Sequence, residues 1–251
     1  MPGADGVAAE LLPWDSEFFG KTIGRVTVES LSPETLAAVD AWASGEKVDC
    51  LYFLTPASDG DSIRTAEDGG FRLVEIRVVL RRPMRPRFVF DDFPPAAEGI
   101  LVREGRPEDL ADLRRIAADS YRDSRFFVDQ NFPDETAARL YETWIEKSLH
   151  AYQGNTVLVA ETEGRVAGFT TVREDGAYAH IGLIAVDPEL MRGTLAPRVS
   201  HAIALELLRW SEARDLGVHA VTQGRNVRTQ RYIQRYGSHV HGISLYFHKW
   251  Y

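Results

Sequence analysis

Residues 181–196 read IGLIAVDPELMRGTLA, and the amphipathic segment that follows carries Val199, Ile203, Leu207 and Trp210 on one stripe. Apolar residues through Ile184 and Val186 predict a strand, which Asp187-Pro188 stops. A short loop with Met191, Arg192, Gly193 and Thr194 then turns the chain into a helix starting near Leu195 and Ala196. Strand, glycine-containing loop and helix N-terminus together make an anion site, because successive loop amides converge and the helix dipole adds about half a positive charge. Every amide from Met191 to Ala196 is available, since Pro197 falls in the first helical turn, where its missing N–H costs little. A Cβ at Thr194 is expected to narrow the approach of an anion and to penalise a positive φ.

Around this stretch the periodicities outline short elements. Strands are predicted over 100–104, 156–162, 166–172, 178–185 and 218–222, with tight turns at Gly164 and Asp175-Gly176. One helix is predicted from Pro107, with Glu108 and Asp109 in its first turn, where the dipole favours acids. Another covers 135–149, where Tyr141, Trp144, Ile145 and Leu149 share a face, and a third covers 227–236. A hairpin is expected to close the chain at Tyr251. Upstream the order is strand 23–28, helix 33–42, strand 50–54, helix 62–68 and strand 71–80. Between the halves, residues 82–99 (RPMRPRFVFDDFPPAAEG) have neither period and hold Pro83, Pro86, Pro94 and Pro95, which is linker composition. The expected organisation is a small α/β domain over 1–82, a linker over 83–99 and a second domain over 100–251.

The chain of 251 residues is 44% hydrophobic, enough for a substantial core, and its 26% charged residues are ordinary. A net charge of −8 argues against a nucleic-acid footprint but not against a local basic pocket. The single Cys50 excludes an internal disulfide. No run approaches the ~18 apolar residues of a membrane span, and MPGADGVAAELLPWDSEFFG lacks the regions of a signal peptide. The default expectation is a cytoplasmic protein without membrane or nucleic-acid partners.

The stretch from Val186 onward resembles the pyrophosphate loop of the GNAT acyltransferase superfamily, where V-x-P leads through [RQ]-x-x-G-x-[GA] into a helix. Val186-Asp187-Pro188 and Leu195-Ala196 match; Met191 replaces the Arg or Gln, Thr194 replaces the central Gly, and Arg192-Gly193 stand one place away. WDSEFFG (14–20), GFRLVEIRVVL (70–80), SRFFVDQNFP (124–133) and TQGRNVRTQRYIQRYG (222–237) resemble the TDP-fucosamine acetyltransferase family across nearly the whole chain. The resemblance implies a GNAT fold, with a mixed, mostly antiparallel central sheet and flanking helices, preceded by a smaller α/β domain. It implies acetyl-CoA as acyl donor, without a metal, and the amine of a nucleotide-linked deoxysugar as acceptor. Ile184, Val186, residues 191–196 and Asn226 would hold the coenzyme. The altered loop leaves two other readings: a donor carried on an acyl carrier protein, or a non-catalytic binding protein. A homodimer is compatible with the sequence.

Amide formation needs a base for the attacking amine, a donor for the oxyanion and an acid for the leaving thiolate. The resemblance assigns the first role to Glu75. A carboxylate inside the apolar strand 73–80 otherwise reads as the exposed face of an edge strand. The family's acid is a tyrosine seven residues beyond an asparagine and four before a glycine; between Asn226 and Gly237 that position is Ile233, and Tyr232 stands one residue early. Tyr232 is the assigned acid, with Tyr236 in reserve, and core aromatics are the alternative reading of both. Asn226 either bonds the pantetheine arm or caps the helix. His239 and His241 alternate on one strand, with His248 expected on its partner, a metal-like spacing without Cys or paired carboxylates. Arg81 to Arg87 could contact a nucleotide diphosphate or form a solvated linker face. Phe126, Phe127 and Phe132 could stack on a thymine or sugar, or cap the core.

Overall fold

The computed structural model describes residues 7–251; residues 1–6, part of the N-terminus read above, and the side chains of Gln153 and Arg192 lie outside the described residues. The first half holds β1 (Ala9–Leu11), α1 (Pro13–Phe19), β2 (Ile23–Val26), α2 (Pro33–Gly45), β3 (Cys50–Pro56), α3 (Gly60–Asp68) and β4 (Arg72–Arg82). The second half holds β5 (Ile100–Glu104), α4 (Leu110–Ser120), α5 (Arg125–Val128), α6 (Asp134–Leu149), β6 (Thr156–Thr162), β7 (Arg165–Asp175) and β8 (Tyr178–Val186). It continues with α7 (Leu195–Glu212), β9 (Gly217–Gln223), α8 (Val227–Arg235) and β10 (His239–Trp250).

Local chemistry explains most boundaries. The Ser32 and Asp59 side chains accept from Thr35 N and Ser62 N, capping α2 and α3. Pro33 sits in the first turn of α2, where no N–H is needed. The helix expected from Pro107 begins as a 3-10 turn (Pro107–Asp109) and becomes α4 at Leu110. There Asp109 accepts from Arg106 N at 2.7 Å and receives both guanidinium nitrogens of Arg103 at 2.7 and 2.8 Å. The WDSEFFG stretch forms α1, an element with no earlier prediction; Gly20, with φ +63°, terminates it in the left-handed conformation.

Among the described residues ten strands make one sheet in the order β1-β2-β3-β10-β4-β9-β8-β7-β6-β5, with parallel pairs only at β2–β3 and β8–β9. The expected closing hairpin is absent: β10 is a single strand inserted between β3 and β4, antiparallel to both. Its partners come from residues 50–56 and 72–81, so no turn is required, and the Val240/Gly242 irregularity is a bulge within the strand. The two halves of the chain therefore share one sheet. The proline-rich connection runs from its middle to its far edge. Phe88, Phe90 and Phe93 of this segment pack against Leu208, Val218 and Tyr236.

Among the described residues each sheet face carries four α-helices. The α2 and α3 helices cover Leu51, Phe53 and Phe247. On the same face, α8 covers Val78, Leu80 and Ala220, and α7 lays Val199 and Ile203 on Ala160 and Ala167. Full burial of each such aliphatic side chain stabilises by about 1.5–3 kcal/mol. Gly168 lets α7 approach closely, since a Cβ there would lie 2.8 Å from Ala185 O and 3.1 Å from Val199 Cγ1. On the opposite face α1, α5 and α6 cover Ile23, Cys50 and Tyr52, while α4 and α6 cover Val157, Val159, Phe169 and Leu183. Among the described residues no helix is long and apolar enough to cross a membrane.

Candidate active site

The parallel pairing of β8 and β9 is short. Tyr178, Ala179 and His180 pair with Gly217, Val218 and His219, and beyond these positions the strands run on to Val186 and Gln223 without further pairs. The register shift between Thr170 and Val172 on β7 helps turn β8 away. At this bulge the Thr171 hydroxyl accepts Leu183 N–H at 2.8 Å, and Thr170 Oγ1 donates to Leu183 O at 3.1 Å. Asp187 N–H also points toward β7, to Ala167 O at 2.9 Å. Backbone groups alternate sides along a strand. With Leu183 and Asp187 committed to β7, the N–H and C=O groups of Ile184 and Val186 face the gap between β8 and β9. A strand edge inside a sheet demands hydrogen-bonding partners, and an extended chain bearing amides would supply them.

At the end of this gap Asp187 caps a 3-10 turn over Pro188–Arg192, accepting from Glu189 N at 3.0 Å. Asp187 is 3% exposed and receives two guanidinium nitrogens of Arg115 at 3.1 and 2.6 Å, which ties the loop to α4. Burial alone would raise the Asp187 pKa, but Arg115 and the Glu189 amide outweigh it and hold it below the usual carboxylate range. Gly193 is extended, with φ −114°, and Thr194 has φ −83°, so the penalty anticipated for a positive φ at Thr194 does not arise. Gly193 N–H bonds Leu190 O within the turn at 3.1 Å. The first-turn amides of Leu195 and Ala196 lie beyond the reach of intrahelical acceptors. The anion cradle is thus narrower than the whole loop. The Arg192 side chain is outside the described residues.

Glu75 is neither at an edge nor exposed: β4 is central, and Glu75 is 9% exposed. Its register partner is Tyr246, so it lies on the α5–α6 face, beyond the last β4–β9 pair, Arg77 with Gln223. Its Oε2 accepts from Arg125 N at 3.0 Å. Burial raises the Glu75 pKa; the Arg125 amide and guanidinium, Gln223 and Arg77 offset part of that rise. A buried carboxylate of raised pKa, one strand removed from β8, is a candidate proton acceptor.

Sequence reasoning missed the group that positions Glu75. The Arg125 guanidinium lies 4.2, 4.0 and 4.3 Å from the rings of Tyr52, Phe126 and Tyr246. Its Nη1 donates to His248 Nε2 at 2.9 Å, so His248 carries its proton on Nδ1 and donates it to Asp129 Oδ2 at 2.6 Å. Trp250 Nε1 donates to the same oxygen at 2.8 Å. Burial holds His248 down, near 4. Burial alone would raise Asp129, but bonds from His248, Trp250 and the Asn131 amide hold it near 2. The SRFFVDQNFP loop was the available signal, since it contains Arg125 and Asp129. Of the two readings of its phenylalanines, core packing holds for Phe126 and Phe132, which are 3% and 2% exposed and pack on Phe19. His248 is also on β10 with His239 and His241, not on a partner strand. Among the described residues no group of three or more His, Cys, Asp or Glu is arranged to hold a metal ion.

The α8 candidates lie on the opposite face. Ile233 packs on Val78, Leu80 and Ala220. Tyr232 donates to Ser200 O of α7 at 2.5 Å, and burial pushes its pKa well up. The Tyr236 hydroxyl lies 2.6 Å from His201 Nδ1. The two phenols thus link α8 to α7. Asn226 caps α8 through Oδ1, which accepts from Thr229 N at 3.1 Å; this cap occupies its carbonyl and not its NH₂. On the Glu75 face, a cavity of about 390 Å³ is lined by Trp14, Trp144, Lys147, Tyr152, Thr171, Arg173 and Gly182, none of which the sequence reading offered as a site residue.

The site thus combines a splayed parallel pair, a loop that enters a helix from its open end, and a buried carboxylate on the other face. Residues 110–237 match the Acetyltransferase (GNAT) family, and the chain belongs to that family. It is 27% identical over 206 residues to the spore coat polysaccharide biosynthesis protein SpsD of Bacillus subtilis (strain 168), covering 82% of this chain and 68% of that protein. Its fold is similar to a GCN5-related N-acetyltransferase from Sphaerobacter thermophilus, with TM-score 0.64, 15% identity and 96% and 76% of the two chains covered. It is also similar to a tandem GNAT protein from the clavulanic acid biosynthesis pathway, with TM-score 0.62, 14% identity and coverage of 91% and 75%. The chain is a GNAT N-acetyltransferase.

Proposed function

We propose that this enzyme transfers the acetyl group of acetyl-CoA to the amine of a nucleotide-linked amino deoxysugar. The observation carrying this reading is the gap between β8 and β9, into which Ile184 and Val186 present backbone donors and acceptors. The pantetheine arm, which holds two amides, is an extended chain able to complete that edge. The pyrophosphate meets the amides at the start of α7, where the helix dipole favours it. Glu75, reached from the opposite face, takes a proton from the acceptor ammonium, directly or through water. The neutral amine attacks the thioester carbonyl, and a gap-facing N–H of β8 supplies a donor to the oxyanion. Tyr232 gives its proton to the departing sulfur after leaving Ser200 O. The sugar-linked acceptor is supported by the relative in spore coat polysaccharide biosynthesis and by the aromatic and cationic cavity beside the gap.

Isothermal titration with acetyl-CoA, followed by free-thiol release with a panel of TDP-amino sugars, tests both halves. Absence of coenzyme binding, with turnover of acyl-carrier-protein thioesters, would replace the donor. Absence of both would leave a binding protein.

A further inference from the structure

A row of basic residues crosses the sheet at the closed end of the gap. Arg81 on β4 pairs with His219 on β9, His219 with His180 on β8, and His180 with Arg173 on β7. On the other side of Arg81, its register partner on β10 is His239. Register partners point to the same face, so these residues share the face of Glu75, which alternates along β4 with Arg77, Val79 and Arg81. At ~4.8 Å per strand, Arg81 to Arg173 spans about 14 Å. The row thus sets four side chains able to donate to an anion side by side on one face.

Its internal contacts do not satisfy it. His219 Nδ1 lies 2.7 Å from His180 Nδ1, and Arg81 Nη1 donates to His241 Nε2 at 2.8 Å. Arg81 Nε and His219 Nε2 are buried without a hydrogen-bond partner. Each such atom has lost its bonds to water without replacement. Arg173 pairs with Asp175 at 3.1 Å, but among the described residues no carboxylate forms an ion pair with Arg81, His180, His219 or His241. Tyr178 forms a wall, with the Arg81 guanidinium 5.1 Å from its ring centroid.

We propose that Arg81, His219 and His180, with His241 beside them, form an oxyanion subsite that binds a phosphate or diphosphate group of the acyl acceptor. The word acceptor rests on the acyl-transfer reading above; the anion site does not. The loop at Leu195 and Ala196 belongs to the donor, so the molecule has two separate places for phosphate. Six residues at ~3.3 Å separate Glu75 from Arg81 by about 20 Å along β4, so an acceptor engaging both is elongated. Arg77, Val79 and the 37% exposed Val221 lie between them. His219 faces Arg77 and Arg81 from β4, His180 from β8 and His241 from β10, while Asp175 and Arg173 act on His180. Burial, reinforced by the neighbouring His180 and by the guanidinium groups of Arg81 and Arg77, holds the His219 pKa down, near 4, so it is neutral at pH 7. A bound oxyanion reverses the local field and draws protons onto the pair, so affinity rises as pH falls from neutrality.

The test is long-range imidazole ¹H–¹⁵N spectroscopy of the full chain, titrated with inorganic pyrophosphate, orthophosphate and thymidine diphosphate. The resonances are assigned with His219→Gln and His180→Gln. Saturable shifts of His219 and His180 are expected, with Arg81→Gln weakening pyrophosphate at least tenfold. Tighter binding of pyrophosphate or the nucleotide supports a diphosphate; equal binding of orthophosphate supports a monoester. Silent His219 and His180 signals, or unchanged affinity in both Arg81→Gln and the charge-retaining Arg81→Lys, overturn the subsite. Persistent shifts in a protein that fails to bind acetyl-CoA would retain the subsite and reject the acyl-transfer reading.

Discussion

Replacing Glu75 by Gln removes the proposed base while leaving an oxygen to accept the Arg125 N–H, which lies 3.0 Å from the carboxylate. The hydrogen bonds of the Arg125–His248–Asp129 chain do not include the Glu75 carboxylate. Burial disfavours the Glu75 carboxylate, so its pKa is raised and its ionised form is a net cost to folding at neutral pH. By linkage, stability falls as pH rises from the ordinary carboxylate value through the raised one, and the Gln variant is expected to melt no lower than wild type at pH 7. A positioned general base contributes roughly 10²- to 10⁴-fold; at least 10²-fold loss of kcat, about 2.7 kcal/mol, is expected. Above the Glu75 pKa the wild-type rate no longer gains from its ionisation. The variant instead draws on the free-amine fraction, which grows about tenfold per pH unit below the amine's pKa. The deficit should therefore shrink about tenfold per pH unit toward alkaline conditions. The assay is free-thiol release at saturating acetyl-CoA from pH 6.5 to 9.5, with coenzyme affinity measured separately. A near wild-type rate throughout, or a deficit constant across pH, would refute the proton-transfer role.

Gly193→Val should raise the acetyl-CoA dissociation constant about tenfold or more, ~1.4 kcal/mol. Its Cβ would meet protein atoms only at 3.7 and 3.9 Å, so calorimetric loss of affinity with an unchanged melt implicates the ligand. Tyr232→Phe should cut turnover at least tenfold on a true acceptor, and Tyr236→Phe less. Equal, mild effects would exclude Tyr232 as the acid and leave thiolate to depart unprotonated. His248, held near 4 against an ordinary 6.5, favours the folded state above pH 6.5 and withdraws that support as pH falls toward 4. The difference is worth about 3 kcal/mol; thermal melts should fall steeply across that window, and less steeply in His248→Gln.

The candidate site was legible unevenly. The Asp187-Pro188 stop and the glycine loop were visible because strand termination and helix entry are local events. Glu75 drew notice as a carboxylate in an apolar run, yet whether it was exposed depended on β10 and β9 lying on either side of β4. His248 offered only a spacing until burial against Asp129 gave it a proton position. Arg125 and Asp129 stood within a recognised loop, but their partners are 123 and 119 residues away.

By itself the sequence determined the elements whose causes are short-ranged. These are the period-two strands from β5 to β9, the apolar stripe of α7, the cap at Asn226, and the turn at Gly164. Such features follow from backbone dihedrals and from side chains bonding amides within three or four residues. Only the tertiary structure decided that β10 is one strand between β3 and β4, that β8 and β9 separate after three pairs, and that Arg81, His219, His180 and Arg173 align. Strand pairing brings together residues far apart in sequence, and register assigns each side chain to a face. A shift of one residue would move the basic row and Glu75 to the side of α7 and α8.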